Sequence, residues 1–364
     1  MEIFKKGDRV IHLRFGLGTV AVDDAEGKVT IDFDQMGRKQ LVLQYAQLRF
    51  ATPVEEDAVK PGGKTYEKWL KTFVFEDKET KHFLGSHWEP FYDDSTFIIK
   101  RLSDILPKAL MQVAFADSRP ALRSVPTDWP KAAYLTWPLR IHGLSLVIRV
   151  TPGNPNELVS LFPFCTEGSQ QRIIIDKVYV WKSGVEAQVE AILGDVCITF
   201  FDILYTRNRD WYEAGMSYQF IFTGIAYTCR KAEDQIVEIT DPEVVEAIRK
   251  SQIESGDEIS YEDRIPIHTK GMASLLPINE WDRDDYQFHG HVKSVKEIEV
   301  LGQVGWRLRT TVLRQLSDDN EFDLDIIVTK KVWGNKSPPQ IGDDIEGTLW
   351  LQGYLWYPDS IISK

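Results

Sequence analysis

The chain has 364 residues, of which 43% are hydrophobic and 27% are charged, and its net charge is −12. This composition indicates a folded protein of two or three domains, and no apolar run reaches the length of a membrane-spanning helix. The polar first residues lack the apolar core of a signal peptide, so we expect a cytoplasmic protein with no membrane partner. The widely spaced Cys165, Cys197 and Cys229 fit neither a disulfide framework nor a zinc knuckle.

Short strands separated by turns are predicted for residues 1–51. Gly7 and Asp8 form a turn pair, since glycine tolerates a positive φ and aspartate bonds its own backbone. Residues 28–33 alternate polar and apolar side chains, as a half-buried strand does. Further short strands are predicted at 9–12, 19–22, 39–43 and 45–50. About five such strands in so short a segment favour a small SH3-like barrel.

A spaced set of residues in this barrel forms a recognisable pattern, made of Gly7, Asp8, Val10, His12, Phe15, Gly16, Gly18, Val20, Ile31, Phe33, Lys39, Leu41, Tyr45, Ala46 and Leu48. The pattern resembles the Tudor-like domain at the C-terminus of UvrD/PcrA-type DNA helicases. More distantly, it is similar to the RNA-polymerase-interacting module of CarD-type regulators. The resemblance covers residues 4–50 only, and no helicase motor accompanies it, so it implies no motor activity.

The resemblance implies that the N-terminal barrel docks on a protein partner, with RNA polymerase as the expected one. We expect Arg14 and Phe15 in one turn, with Arg38 and Tyr45 nearby, to make the contact. The barrel has a net charge of +1, which leaves −13 for residues 51–364. So acidic a body is a poor general phosphate binder, and its charge favours a protein partner.

Residues 52–63 contain two prolines, an acidic run and a glycine pair, which predict an irregular linker. The stretch Ala58–Thr65 matches a relaxed phosphate-loop pattern, with Lys64 as its lysine. Such a loop has to leave a buried strand, which the acidic residues before it do not provide. Pro61 also lacks a backbone N–H that would bind phosphate. Nucleotide hydrolysis is therefore kept only as an alternative.

Residues 64–164 read as an α+β segment. Tyr66 and Trp69 fall at helical spacing and predict a helix over 64–75. Asp94 or Ser95 is the expected N-cap of a second helix that runs to residue 110. Strands are predicted at 132–137, 144–150 and 158–162.

Residues 165–235 and 281–364 hold a weak internal repeat of three strands, a polar loop and a long last strand. The predicted strands are 172–181, 185–193, 196–205 and 218–227, then 286–300, 306–313, 322–328 and 345–356. Glycines inside the last strands suit bent barrel strands, so we predict two tandem OB-like β-barrels. Residues 236–280 connect them through a helix that Asp241 caps and Pro242 begins.

The predicted fold class is therefore mainly β with some α: an SH3/Tudor-like barrel, an α+β segment and two OB-like barrels. Aromatic rings beside cations are typical of single-strand binders, which stack bases on the rings. The candidate nucleic-acid contacts are Trp181, Arg207, Arg209, Trp211, Lys331 and Trp333. The alternative is that these rings fill barrel ends and the charges are solvated, which the acidity of the body favours.

Catalytic patterns are sparse. His289 and His291 share one face of a strand, but a metal site needs a third ligand, and no serine stands in a Gly-x-Ser-x-Gly elbow. We expect no cofactor and a non-catalytic interaction protein of the transcription or DNA repair machinery, whose OB-like body binds protein or single-stranded nucleic acid. The alternatives are a nucleotide- or metal-dependent enzyme acting on nucleic acid, and an accessory subunit of a phage-defence system.

Overall fold

Strands dominate the architecture in the computed structural model, which confirms the mainly β prediction. The structure describes residues 3–12, 15–25, 27–34, 36–59, 62–79, 85–94, 96–112, 126, 128–150, 155–234, 236–256, 264–314 and 321–358. Within these ranges, no helix is long and apolar enough to cross a membrane.

The N-terminal module, residues 3–50, is one small sheet with its own core. Its strands are β1 (Arg9–His12), β2 (Gly16–Ala25), β3 (Lys28–Phe33), β4 (Gly37–Val42) and β5 (Leu48–Phe50). They are ordered β4-β3-β2-β1-β5, so β4 lies at one edge. Alternate residues of the central strands, among them Val10, Val20 and Ile31, pack inside with Phe4 and Phe33.

The prediction of an irregular linker is wrong for α1 (Pro53–Val59). Thr52 and Glu55 form a capping box: the Glu55 carboxylate accepts from the Thr52 N–H at 2.8 Å, and the Thr52 hydroxyl accepts from the Glu55 N–H at 3.3 Å. Pro53 occupies the first helical position, where its missing N–H costs nothing. The Thr-Pro-x-Glu sequence was therefore a helix-start signal.

In the α+β segment, the helices are shorter than the sequence predicts. Its elements are α2 (Lys64–Leu70), β6 (Phe73–Phe75), a 3₁₀ turn (Ser86–Trp88), α3 (Thr96–Lys100), α4 (Leu102–Ile105), a 3₁₀ turn (Leu106–Lys108), β7 (Leu110–Met111), β8 (Lys131–Pro138), β9 (His142–Val150) and β10 (Glu157–Cys165). The helix predicted to reach residue 75 ends at Leu70, because residues 73–75 instead pair with a strand of the main sheet. The helix predicted to run to residue 110 is broken into short pieces ending at the 3₁₀ turn that contains Pro107. The three predicted strands are present, and with β7 they form a sheet of order β10-β9-β8-β7.

All eight strands of the predicted repeat are present. The remaining elements are β11 (Ser169–Val180), β12 (Ala187–Leu193), β13 (Val196–Asp202), α5 (Tyr205–Asn208), β14 (Ser217–Lys231), β15 (Ile236–Ile239), α6 (Pro242–Ser255), β16 (Ile265–His268), β17 (Ser274–Pro277), β18 (Asp285–Val300), β19 (Gln303–Arg314), β20 (Glu321–Thr329) and β21 (Asp344–Pro358). The helix α6 begins as predicted, with the Asp241 carboxylate accepting from the Glu243 N–H, and it ends at Gly256 with φ 76°.

The two repeats do not form separate sheets, because their last strands pair with each other. β14 and β21 run antiparallel from Tyr218 opposite Pro358 to Lys231 opposite Ile345. β21 also pairs in parallel with β13, and β14 pairs in parallel with β20. The pairings β14–β11 and β18–β21 complete two rings, β11-β12-β13-β21-β14 and β18-β19-β20-β14-β21. Each ring therefore contains the last strand of the other repeat, where the sequence predicted two barrels in succession.

Two cores lie on opposite sides of the shared strands. Inward residues such as Phe220, Phe288 and Leu349 belong to the core enclosed by the rings. Outward residues such as Phe201 and Trp350 belong to a second core, where the rings meet the sheet β10-β9-β8-β7. Since strand residues alternate between faces, one pair of strands supplies both cores.

A chain ending at residue 235 should fail to fold cooperatively, because the position between β13 and β14 is filled by β21. The expected result is loss of the sigmoidal urea transition and of the near-UV circular dichroism that the full chain shows. A fragment that unfolds in a single sharp transition would contradict the sharing of strands.

Gly347→Ala should destabilise the shared pair, because an added Cβ would overlap the carbonyl oxygen of Thr228. The expected loss is about 1–3 kcal/mol in the free energy of urea unfolding. Gly224→Ala is the matched control, since its Cβ would meet only the movable Leu349 and Leu324 side chains, at 3.0 and 3.3 Å. It should cost less than about 1 kcal/mol, and equal losses would count against the backbone clash.

Candidate functional site

The residues predicted to contact a partner differ in their exposure. Arg14 lies outside the described residues. Phe15 is half-buried and stacks on His12, with ring centroids 4.6 Å apart, so much of its ring belongs to the core of the N-terminal module. Arg38 is exposed and forms a bidentate ion pair with Asp32, with both N–O distances 2.7 Å. Tyr45 is 80% exposed, which leaves its ring available for contact.

Other exposed apolar side chains lie close to Tyr45 in the chain. Met36 precedes the edge strand β4, and Val42 ends it. The N–H of Tyr45 donates to the carbonyl oxygen of Val42 at 3.0 Å, which holds the turn after β4. The edge strand β4 is thus bordered at both ends by exposed apolar residues.

Three of the predicted nucleic-acid contacts lie in the interior. Trp181 is 2% exposed, and the Lys78 ammonium lies 4.3 Å from its ring centre. Arg209 is also 2% exposed and donates to the carbonyl oxygen of Pro130 at 2.7 Å. Trp333 is buried and donates from its indole N–H to Ser337. None of these three side chains presents a surface on which a base could stack.

The other three predicted contacts are more accessible but do not join them in one groove. Arg207, in the helix α5, and Trp211, in the 3₁₀ turn that follows it, are half-buried. Lys331 is exposed after β20 and forms an ion pair with Asp93 at 2.9 Å. The set is therefore divided between the α5 region and the end of β20.

The phosphate-loop pattern has the wrong surroundings. A helix, α1, precedes α2 where a phosphate loop would follow a strand. The carboxylate of Asp57 accepts from the Thr65 N–H at 2.8 Å, and an added Cβ on Gly63 would overlap that carboxylate. A side chain of the protein thus already bonds the N–H that would face a phosphate.

The outward face of β18, β21 and β14 carries a strip of polar residues. The register places His291 opposite Asp344, and His289 opposite Glu346, which lies opposite Arg230. The His291 and Asp344 side chains are 2.9 Å apart, while Glu346 bonds Arg230 at 2.6 Å and lies 3.8 Å from His289. No three His, Cys, Asp or Glu residues in the described ranges are grouped so that they would hold a metal ion.

A groove of about 640 Å³ follows this strip, lined by Thr228, Cys229, Arg230, Gln287, Val332, Gly334, Glu346, Gly347 and Thr348. Its floor offers hydroxyl groups and an amide. The hydroxyls of Thr228 and Thr348 are 2.9 Å apart. The Arg230–Glu346 pair balances its own charge, so the groove is polar without being strongly charged.

Beyond the groove, the loop 281–285 buries two carboxylates. Asp284 accepts from the Gln188 amide at 2.6 Å and from the Trp350 indole N–H at 3.0 Å. Asp285 accepts from the Tyr227 hydroxyl at 2.6 Å. Burial raises the pKa of both carboxyl groups, and that of Asp285 to about 7.

Tyr227 connects this loop to His87. The β14–β21 register skips Tyr227, which is the extra residue of a β-bulge. Its hydroxyl oxygen lies 2.7 Å from His87 Nδ1, and the imidazole stacks on Trp350 with centroids 3.9 Å apart. His87, Tyr227 and Asp285 therefore form a hydrogen-bonded chain at the end of the groove.

The sequence did not reveal this arrangement. In the sequence, residues 281–285 have the pattern of a solvated acidic loop, and nothing near His87 in the chain marks it. A partial signal was present, since Asp285 begins a strong strand pattern and aspartate is uncommon inside strands. The bulge that turns Tyr227 towards both groups has no sequence signal, because no glycine marks it.

Asp284→Asn should destabilise the fold, because two N–H donors face this side chain and asparagine offers only one acceptor. We expect the free energy of urea unfolding to fall by about 1–3 kcal/mol. Asp282→Asn is the control in the same loop: its ion pair with Lys78 is half-exposed, so its loss should cost less than about 1 kcal/mol. Similar losses in the two variants would contradict the assigned hydrogen bonds.

In comparisons with known proteins, the chain matches no protein-family model and no curated protein sequence. What the chain does is therefore inferred from its own residues and their geometry.

Proposed function

We propose that the chain is an interaction protein whose N-terminal module docks on a protein partner of the transcription or DNA repair machinery. The observation that carries this proposal is the exposed Tyr45 beside the edge strand β4, within the segment that resembles polymerase- and helicase-associated barrels. RNA polymerase is the partner that the resemblance implies.

The composition of the N-terminal module supports a docking role. Its core of residues such as Val10 and Ile31 is its own, and α1 separates it from the body. Its charges nearly cancel, while the body is strongly acidic. Exposed aromatic residues on a surface with little net charge often contribute most of the binding energy of a protein interface.

The body is proposed to bind a second macromolecule, and its geometry favours a protein over single-stranded nucleic acid. Stacking on nucleic acid needs exposed rings beside free cations. Trp181, Trp333 and Arg209 are all buried. The acidity of the body disfavours phosphate contacts as well.

The docking surface can be tested by measuring the affinity of purified core RNA polymerase for the full chain by biolayer interferometry. Tyr45→Ala should weaken binding about tenfold or more, because truncating an exposed aromatic anchor typically costs more than 1 kcal/mol. Arg38→Glu should weaken it further, since it reverses the charge beside Asp32. Tyr45→Ala should leave the urea unfolding midpoint unchanged, and Arg38→Glu should lower it slightly, because it places two carboxylates on paired residues of β3 and β4.

Ile341→Ala is the control, because Ile341 is exposed on the body, away from the N-terminal module in sequence. It should bind as the unaltered chain does. Unchanged affinity in Tyr45→Ala and Arg38→Glu would exclude this surface, and no binding of the full chain would exclude RNA polymerase as the partner.

A further inference from the structure

Residues 85–94, here called the strap, cross the shared strands and contact several elements of the second ring. The His87 ring stacks on Trp350 of β21. The Tyr92 hydroxyl donates to the carbonyl oxygen of Leu301 at 2.8 Å, and the Thr329 hydroxyl donates to that of Pro90 at 2.8 Å. The strap thus covers Trp350 and joins the α+β segment to the rings.

The strap is hydrogen-bonded to β14 through a chain of side chains that can donate or accept a proton. The Tyr227 hydroxyl lies between His87 Nδ1, at 2.7 Å, and Asp285 Oδ1, at 2.6 Å. When Asp285 is ionised, the Tyr227 hydroxyl donates to it, and the Tyr227 oxygen accepts from the Ser86 side chain and from the Nδ1–H of His87. When Asp285 is protonated, it donates to Tyr227, which in turn donates to the unprotonated Nδ1 of His87. The hydrogen-bonded chain is complete in both arrangements, but only in the second are His87, Tyr227 and Asp285 all uncharged.

The groups around Asp285 come from several elements. Asp284 is its neighbour, and the Asp282 backbone N–H donates to Asp285 Oδ2 at 3.2 Å. The Asp282 carboxylate pairs with Lys78 at 3.1 Å, which offsets its charge. Gln188 and Trp350, which also face the loop, are neutral donors to Asp284. The charges close to Asp285 are thus mainly like charges, which disfavour its ionised form.

We propose that the strap is a proton-controlled latch, held most firmly when Asp285 carries a proton and loosened when Asp285 is ionised. With the strap closed, Asp285 is 6% exposed and Asp284 is 1% exposed. Opening it removes the His87 end of the chain and lets water reach the carboxylate. The inference is independent of the partner of the N-terminal module.

The sign of the pH dependence follows from linkage. In the closed state the pKa of Asp285 is raised to about 7, and in a hydrated open state it would return to about 4. The closed state therefore binds more protons between these values, and its stability relative to the open state falls as pH rises through them. Below about pH 4 and above about pH 7 the opening equilibrium should not change with this group.

The test is amide hydrogen exchange of the full chain, read by mass spectrometry on peptides covering residues 85–94 at pH 5, 6, 7 and 8. Rates are divided by the intrinsic exchange rate at each pH, so that they report the opening equilibrium. Protection of the strap should fall with pH, by up to about tenfold per unit, and level off above about pH 7.

Asp285→Asn should sharply reduce the pH dependence of this protection, since asparagine fills the same space without titrating. Asp202→Asn is the matched control: Asp202 is a second buried carboxyl with a pKa of about 7, raised by burial, but it accepts from Tyr212. The control should keep the pH dependence of the unaltered chain at the strap. If Asp285→Asn does not fold, Tyr227→Phe replaces it and should shift the levelling to higher pH, because the ionised carboxylate loses a donor.

A flat profile in the unaltered chain between pH 5 and 7 would overturn the proposal. An equal slope in Asp285→Asn, an unshifted profile in Tyr227→Phe, or loss of the slope in Asp202→Asn would do the same. The flat profile would show that no group titrates with the opening of the strap, and the other results would place the titrating group elsewhere.

Discussion

The antiparallel pairing of β14 with β21 is the interaction on which the rest of the body depends. Each strand has 15 residues, long enough to belong to both rings. Without β21, the first ring would be open between β13 and β14, and without β14 the second would be open between β20 and β21. Open edges with buried faces are unfavourable in water, so the two repeats stabilise each other and fold as one unit.

The same pairing determines where polar groups are buried. Inward side chains fill the rings, so the outward face of the shared strands must be covered by other segments. The sheet β10-β9-β8-β7 covers part of it, and the strap covers Trp350. Where this covering ends, Asp284 and Asp285 are enclosed, and they accept hydrogen bonds from Trp350 and Tyr227 respectively. The buried network is therefore a consequence of how the outer face is closed.

Much of the secondary structure could be predicted from the sequence, because alternation of polar and apolar residues reports burial directly. The strands β18 and β21 and the caps of α6 agree closely with their patterns. The strand that pairs with β14 could not be predicted. The alternation of polar and apolar residues shows which face of a strand is buried, but not which strand lies next to it. The repeat therefore suggested two separate barrels, whereas its last strands, β14 and β21, belong to both rings.

The candidate sites were harder to predict for a related reason. The local sequence around an aromatic residue does not show whether its ring is exposed, as that of Tyr45 is, or buried, as that of Trp181 is. The difference is set by the segment that covers the residue, which is remote in sequence. Asp284 shows the same effect for charge: it is next to exposed acidic residues, yet Gln188 and Trp350, distant along the chain, bury it and fix its hydrogen bonds. In a sheet whose two rings share strands, the environment of a side chain is thus determined by long-range pairing, and a function assigned from local motifs has to be checked against that pairing.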